Sequence, residues 1–577
     1  MSVTRASEPL PHPPSLSSIA IGVDYGTESG RVLALDLAKG TEVARSVIVY
    51  GHGVMDRELD GVTLPPDWAL THPQDYLDVL HQGIPEVLAQ GNIRAQQVVA
   101  VGIDVTACTV LPVDASGSPL CFSPEWKKRP HAWPKLWKHH AAQAIADRMT
   151  EVAQTRGESF LARYGGRLSS EWYFPKLIQI FEEDPEVYHA MARFIEVTDW
   201  LVWYLTGHER RSSGVAGYKA LWSETEGLPS RDYFTAVNAA FDSPLAKLGT
   251  QFYPLGTPAG TIRPDLAPDL GLSPETSVAV GNVDSMVAAP AVGLEGPGAL
   301  VMVMGTSICH LTVTEHEVRL PGITGVVKDG VLPSWYGYEA GQAAVGDMFA
   351  WFVQQAVPSA YQDAARTAHL SLYEYLESLA QDLSPGESGL MALDWWNGNR
   401  SILGDADLEG ALIGLSLATR PEEIYRTLLE SVAMGTRIIV DNFSEHGVPI
   451  TRLLACGGLP LKSPLLMQIY ADVTGLPVLV SDSEEIPARG SAIFGAVAAG
   501  HDRGGFASLG EASRMLAAPI RTRYAPTPEA HAVYQEIYAI YRELYQQLGT
   551  TSSEWMHRLK AIRLQAHRPR YRKGESL

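Results

Sequence analysis

The sequence predicts an α/β protein of two to four domains, and three observations carry that prediction. Apolar strand-like runs alternate with segments of helical period along most of the chain. Two short Gly-Thr turns, each between apolar runs, lie in opposite halves of the chain: "IGVDYGTESGRVLALD" at 21–36 and "VMVMGTSICHLTVTE" at 301–315. With 577 residues and 46 % apolar content, the chain can bury several cores.

The elements read in order as follows. Residues 1–18 are rich in Pro and Ser and read as a disordered leader without the apolar core of a signal peptide. "SIAIGVD" and "RVLALDL" then read as strands around a glycine-containing turn. "HPQDYLDVLHQGIPEVLAQ" (72–90) has helical period, "VVAVGIDVTACTVLPVD" (98–114) returns to strand, and 134–270 is mostly helical in pattern. "VAVGNVDSMVAAPAVG" (278–293) predicts a strand running into a helix, and "GALVMVMGTSICHLTVTE" (298–315) two strands. Residues 451–500 predict strand, Gly-Gly turn, helix, short strand and helix. Tyr534, Tyr538, Tyr541 and Tyr545 fall at helical spacing and predict an amphipathic helix packed on the body. The basic end, from 551 to 577, reads as a loose surface tail, with a docking segment as the alternative.

A formal charge of −20 argues against general nucleic-acid binding but leaves room for a local phosphate site built from backbone N–H groups. Four scattered cysteines without metal-ligand spacing fit a reducing cytoplasm. No apolar run reaches transmembrane length, so no membrane partner is expected. The chain has no GxxxxGK[ST] phosphate loop and no GxGxxG turn after its first strand, which excludes those two nucleotide-binding designs. The adjacent His139 and His140 cannot converge on one ion and are not read as metal ligands.

Five segments together are more specific than any one of them: "DYGTESGR" (24–31), "GNVDSM" (281–286), "MGTSICH" (304–310), "ACGGLPLKSPLLMQIYADVTGLPV" (455–478) and "ARGSAIFGAVAAG" (488–500). From about 19 to about 550 the chain resembles the FGGY family of carbohydrate kinases. Within that family the likeness is strongest to kinases of L-ribulose, through "GIDVTACTVLPVD" (102–114), "LWKHHAAQ" (136–143), "AGYKALW" (216–222), "YGYEAGQAAVGD" (336–347) and "WWNGNRS" (395–401).

The resemblance implies a two-domain actin-like/hexokinase-like ATPase (ribonuclease H-like) fold with an interdomain catalytic cleft. It places a sugar-binding and catalytic domain at 19–270 and an ATP-binding domain at 271–550. Its implied activity is ATP- and Mg²⁺-dependent phosphorylation of L-ribulose or a related ketopentose, with a homodimer also expected. Asp24 would help hold Mg²⁺, together with Asp284, which is also the implied general base. Gly26, Thr27 and Ser29 would lie near the transferred phosphoryl group, with Arg31 either orienting that turn or making a structural ion pair. Gly305, Thr306 and Ser307 would form the second phosphate turn, and Gly457 and Gly458 the adenosine contact. Ala107, Lys219, Asp284 and Glu339 would bind the sugar. Trp133 and Trp137 would wall the sugar pocket or simply pack. By residue type alone, Asp284 reads first as a strand-end or N-cap aspartate. Two alternatives stay open: a kinase of D-ribulose, D-xylulose or ribitol, and a non-catalytic actin-like nucleotide switch.

Overall fold

A computed structural model describes residues 18–241 and 245–567; the leader at 1–17 and the last ten residues of the basic tail lie outside the described residues. The first sheet contains β1 (Ile19–Tyr25), β2 (Ser29–Asp36), β3 (Thr41–Val49), β4 (Val98–Val105), β5 (Pro258–Thr261), β6 (Ser277–Ala279) and β7 (Asn282–Val283). Its order is β5-β6-β4-β1-β2-β3, with β7 pairing on β4. The second sheet contains β8 (Ala299–Met304), β9 (Ile308–Thr314), β10 (Gly325–Lys328), β11 (Tyr336–Gln342), β12 (Arg452–Cys456), β13 (Val478–Ser481) and β14 (Ile520–Tyr524), in the order β10-β11-β9-β8-β12-β13-β14.

The echo between the two Gly-Thr turns is the visible trace of a larger duplication. The run β5-β6-β4-β1-β2-β3 has the same sequence of pairing senses as β14-β13-β12-β8-β9-β11: antiparallel, parallel, parallel, antiparallel, antiparallel. In each sheet the Gly-Thr turn joins the two equivalent central strands, β1 to β2 and β8 to β9.

Helices fix how the halves meet: α1 (Ser213–Lys219), α2 (Asp284–Ala291), α3 (Gly458–Lys462), α4 (Pro464–Thr474), α5 (Ile486–Ala499), α6 (Pro528–Gln546) and α7 (Glu554–His567). Helix α5 is apolar and buried on nearly every face because it is enclosed, lying against β1, β4 and α2. Gly22 and Gly102, register partners on β1 and β4, let it approach; a Cβ on either would run into the carbonyl of Ala488 or Ser491. One apolar core therefore joins Ala20 and Leu35 of the first sheet, Val301 and Leu311 of the second, and Ile493 of α5.

The structure corrects the domain boundary. A division at 270 would cut β6 and β7 away from the sheet they complete, so the first half runs on through Val283. The basic tail is also not loose over its described part. Met556 is buried, and His557, Lys560 and Arg563 pair with Asp405, Asp407 and Glu409 of an acidic loop. The tyrosine stripe on α6 is core: all four rings are buried, and their hydroxyls reach Glu430, Asp441, Asp394 and Asn399. Met467 and Ile469 of α4 are core residues as well, with Leu465 packed beside them.

Candidate functional site between the two halves

Sheet register builds the first part of the site. Asp24 near the end of β1 is the register partner of Asp104 on β4 and of Arg31 on β2, and Asn282 on β7 partners Asp104. Two residues beyond Asn282 the strand gives way to α2, whose first residue is Asp284. Strand ends thus bring three carboxylates together, where the sequence named only two. Asp104 was missed. Its signal was present, because "IGVD" at 21–24 and "VGID" at 101–104 share one pattern. In both, the glycine admits α5 and the aspartate faces the site two residues later.

The carboxylates perturb one another. Burial, and then the charge of Asp24, pushes the Asp284 carboxyl up to about 7, although Asp284 keeps some accessible surface. Burial likewise raises Asp24, against the opposing pull of Arg31 (Nη1 to Oδ2, 3.4 Å). Asp104 is pushed well up by burial and by Asp24. Its Oδ2 accepts from Ser491 of α5 at 2.5 Å, while its buried Oδ1 has no donor. A proton retained by Asp104 and donated to Asp24 satisfies both groups, as expected for two crowded carboxyls.

The sign of the linkage follows. With these carboxyls raised, the folded protein retains protons that the unfolded chain has released, so they erode stability as pH rises above the ordinary carboxylate range. Asp104→Asn supplies a fixed N–H in place of the shared proton and keeps an acceptor for Ser491. It is expected to raise the melting temperature of ligand-free protein at pH 8 by about 2 °C or more. An unchanged or lower value by scanning calorimetry contradicts the shared-proton account.

Among the described residues, no three His, Cys, Asp or Glu side chains form a ready-made cation cage. The donors present nevertheless fit Mg²⁺. They are hard oxygens, crowded enough to favour a counter-charge. Magnesium ordinarily uses one or two carboxylates with water and substrate phosphate, not an all-protein cage.

The turn after β1 is held by Gly26 N–H donating to Ser29 C=O (3.0 Å) and by Tyr50 OH donating to Gly26 C=O (3.0 Å). Thr27 Oγ1 accepts from Trp137 Nε1 (3.1 Å), so this tryptophan reaches the turn. Trp133 instead packs against His72 and donates to Lys127 C=O. His139 is buried with its ring on Gln179, while His140 faces Ser170. Arg31 engages both Asp24 and Glu485, tying β2 to the loop before α5.

In the second half, Gly305 N–H donates to Ser307 C=O (2.9 Å), while Thr306 C=O accepts from Val345 N–H (2.8 Å). Gly305 and Thr306 are exposed and Ser307 is half-buried. Gly457 stands at φ +98°, and a Cβ there would strike the Met304 carbonyl, so β12 can turn into α3 beside the end of β8 only through glycine. Gly458 faces open space. The turn at Gly305 and the Gly-Gly turn are thus neighbours across β8 and β12.

The predicted sugar residues meet at the seam between the halves. Tyr218 of α1 is fully buried in a slot left by Gly325, Gly330 and Gly337 of the second half. Its neighbour Lys219 thereby reaches Glu339 on β11 (Nζ to Oε2, 2.9 Å), with both side chains 3 % exposed. Burial pushes the Glu339 carboxyl up, but the charges of Lys219 and Arg400 outweigh it and hold it below its ordinary value. The same pairing outweighs burial at Lys219, which is raised. Asp284 feels the charges of both Glu339 and Lys219. Ala107, half-buried in the loop after β4, packs against the cores on both sides, next to Cys108, whose thiol feels Lys219. Arg400, which lies in "WWNGNRS" but was given no role there, reaches Glu339 from the other side (Nη2 to Oε1, 3.2 Å).

The arrangement offers a carboxyl raised toward neutrality, two glycine-bearing turns that carry hydroxyls, and a buried cation–carboxylate pair. No helix among the described residues is long and apolar enough to cross a membrane.

Comparison with known proteins gives the family and the fold. Residues 19–291 match the N-terminal domain, and residues 300–499 the C-terminal domain, of the FGGY family of carbohydrate kinases. The chain is 51 % identical over 512 residues to a ribulokinase of Geobacillus thermodenitrificans, covering 88 % of this chain and 91 % of that protein. It is 49 % identical over 552 residues to a ribulokinase of Halalkalibacterium halodurans, covering 95 % and 98 %. A xylulose kinase structure from Rhodospirillum rubrum superposes with a TM-score of 0.76 at 22 % identity, over 93 % of this chain and all of that one. A Plasmodium falciparum glycerol kinase structure with ADP gives 0.72 at 15 %, over 92 % and 98 %. These last two speak to fold, which is the two-domain ATPase fold of actin, hexokinase and Hsp70 with its interdomain cleft. With both of its halves matched and its curated relatives aligned over nearly their full length, the chain belongs to the FGGY family of carbohydrate kinases.

Proposed function

We propose that the protein transfers the γ-phosphoryl group of ATP to the 5-hydroxyl of L-ribulose, giving L-ribulose 5-phosphate and ADP. The observation that carries this reading is the meeting of Asp284, poised near neutrality, with the buried Lys219–Glu339 pair at the joint between the halves. Relatives named ribulokinase, matched over nearly their whole length, support the choice of sugar.

In this reading Glu339 accepts from sugar hydroxyls, and Lys219 donates to a hydroxyl or the carbonyl. Asp284 takes the proton of the 5-hydroxyl as its oxygen bonds to the γ-phosphorus, and the bond to the leaving ADP oxygen breaks. Before Mg²⁺ binds, burial and the charge of Asp24 raise this base to about 7. The turn amides around Gly26 and Gly305 face charge on the transferred group, and Gly457 and Gly458 leave room for the nucleoside. Mg²⁺, held by Asp24 with Asp284, would supply charge neutralisation on the phosphate oxygens.

The test is ADP release from Mg-ATP with L-ribulose, D-ribulose, D-xylulose, ribitol and no sugar. Stimulation strongest with L-ribulose is expected. Preference for another of the four keeps the kinase and replaces its substrate. No stimulation by any sugar, from protein shown to be folded and nucleotide-bound, favours the nucleotide-switch reading.

A further inference from the structure

Glu339 is held by two cations, and only one of them figured in the reading of the sequence. Lys219 takes Oε2, and Arg400 takes Oε1 at 3.2 Å. The arginine is brought there by a built support. Gly341, two residues along β11 from Glu339, leaves space for the arginine stem; a Cβ at that position would lie 3.2 Å from Arg400 Cδ and 3.5 Å from Nε. Ser401 Oγ accepts from Gly341 N–H at 3.1 Å and pins the loop to the strand beside it. Behind the arginine, Asn399 and Asp405 exchange backbone hydrogen bonds, and Tyr545 of α6 accepts from Ile402 N–H. A surface arginine would need none of this. The side chain nonetheless keeps 30 % of its surface accessible, while Glu339 keeps 3 %.

We infer that Arg400 is a positioning residue of the sugar site: with Lys219 it clamps Glu339 as a carboxylate whose remaining lone pairs face the acceptor hydroxyls. The chemistry follows from valence. An ionised carboxylate has about four acceptor positions, and the two cations use one on each oxygen, leaving one on each for a polyol. A protonated Glu339 would turn one oxygen into a donor and lose that pattern. Burial favours the protonated form, and one buried lysine must then offset it alone if Arg400 is removed. The other titratable groups that interact with Glu339 are Asp284 on α2, Cys309 on β9 and the Tyr218 hydroxyl on α1. Among these groups, Arg400 and Lys219 supply the positive charge.

The inference rests on the kinase reading for the identity of the ligand, and its test separates the two. Arg400→Gln and Arg400→Lys are compared with the native protein in two measurements. The first is carboxyl-¹³C NMR titration of the sugar-free protein, with the Glu339 signal assigned by its loss in Glu339→Gln. The second is KM for L-ribulose between pH 6 and pH 8. In Arg400→Gln the Glu339 titration is expected to move upward, and KM at pH 6 to rise at least tenfold more than at pH 8. Arg400→Lys should restore most of both. An unshifted Glu339 titration, or a KM–pH profile superimposable on the native one, overturns the inference. Should Arg400→Gln fail to fold, Arg400→Met, which keeps an apolar stem and removes the charge, is held to the same two outcomes. A shifted titration in protein that no sugar stimulates would retain the clamp and overturn the kinase reading.

Discussion

Asp284→Asn is expected to lower kcat by about 10²–10⁴-fold, the range for loss of a general base, with little change in fold or melting temperature. Asparagine matches aspartate in shape and can still accept from Ser285 N–H, which donates to Asp284 Oδ1 at 2.7 Å. What it cannot do is take the proton from the sugar hydroxyl. Burial already makes the charged form costly here, so removing the charge relieves strain that the native site carries for function. Steady-state kinetics with a calorimetric control decide the matter. Turnover near the native value would remove Asp284 from the reaction.

Glu339→Gln is expected to act on stability and catalysis together. It removes the one carboxylate between Lys219 and Arg400 and leaves a buried lysine and a half-buried arginine facing an amide. Breaking a buried pair on one side costs about 3–5 kcal/mol. Part of this is recovered because Arg400, 30 % exposed, can turn toward water. Sugar recognition suffers further, because a site built to bond hydroxyls loses heavily when one partner is wrong. A fall in kcat/KM of at least 10³-fold is expected, with a lower melting temperature. The pH dependence gives the sign. Glu339 sits below its ordinary value in the folded protein, so its contribution to stability is full above the unfolded carboxylate range and disappears as pH falls through the folded value. The mutant's deficit should therefore narrow in acid. A stable, fully active Glu339→Gln protein would contradict the assignment.

How much of this was legible in the sequence depends on how local the signal is. The strand–turn–strand units around Gly26 and Gly305 were legible because apolar runs frame a polar turn within one short window. The six-strand duplication behind them was not, because outer strands such as β5 and β14 share no local pattern. Asp24 stood out as a carboxylate ending an apolar run. Asp104 carries the same signature in "VGID" and went unused until register placed it against Asp24. Lys219 and Glu339 were named through resemblance, but their pairing spans 120 positions and depends on Tyr218 seating in a slot made by three distant glycines. No spacing rule encodes that. Arg400 lies in the quoted "WWNGNRS", but nothing local gives it a role; it matters because Gly341 and Ser401 bring its loop over β11. The basic tail was misjudged for a related reason. Its charge is local, but the acidic "DADLE" loop that receives it lies some 150 residues earlier.

The central claim is that the two halves assemble a site that delivers phosphate to a sugar and not to water. The most direct test follows the fate of the γ-phosphorus by ³¹P NMR in Mg-ATP reactions with and without L-ribulose. The account predicts a 5-phosphate monoester appearing in step with ADP when sugar is present, and little ADP or inorganic phosphate without it. Inorganic phosphate released at the same rate in both reactions, with no sugar phosphate formed, would contradict it.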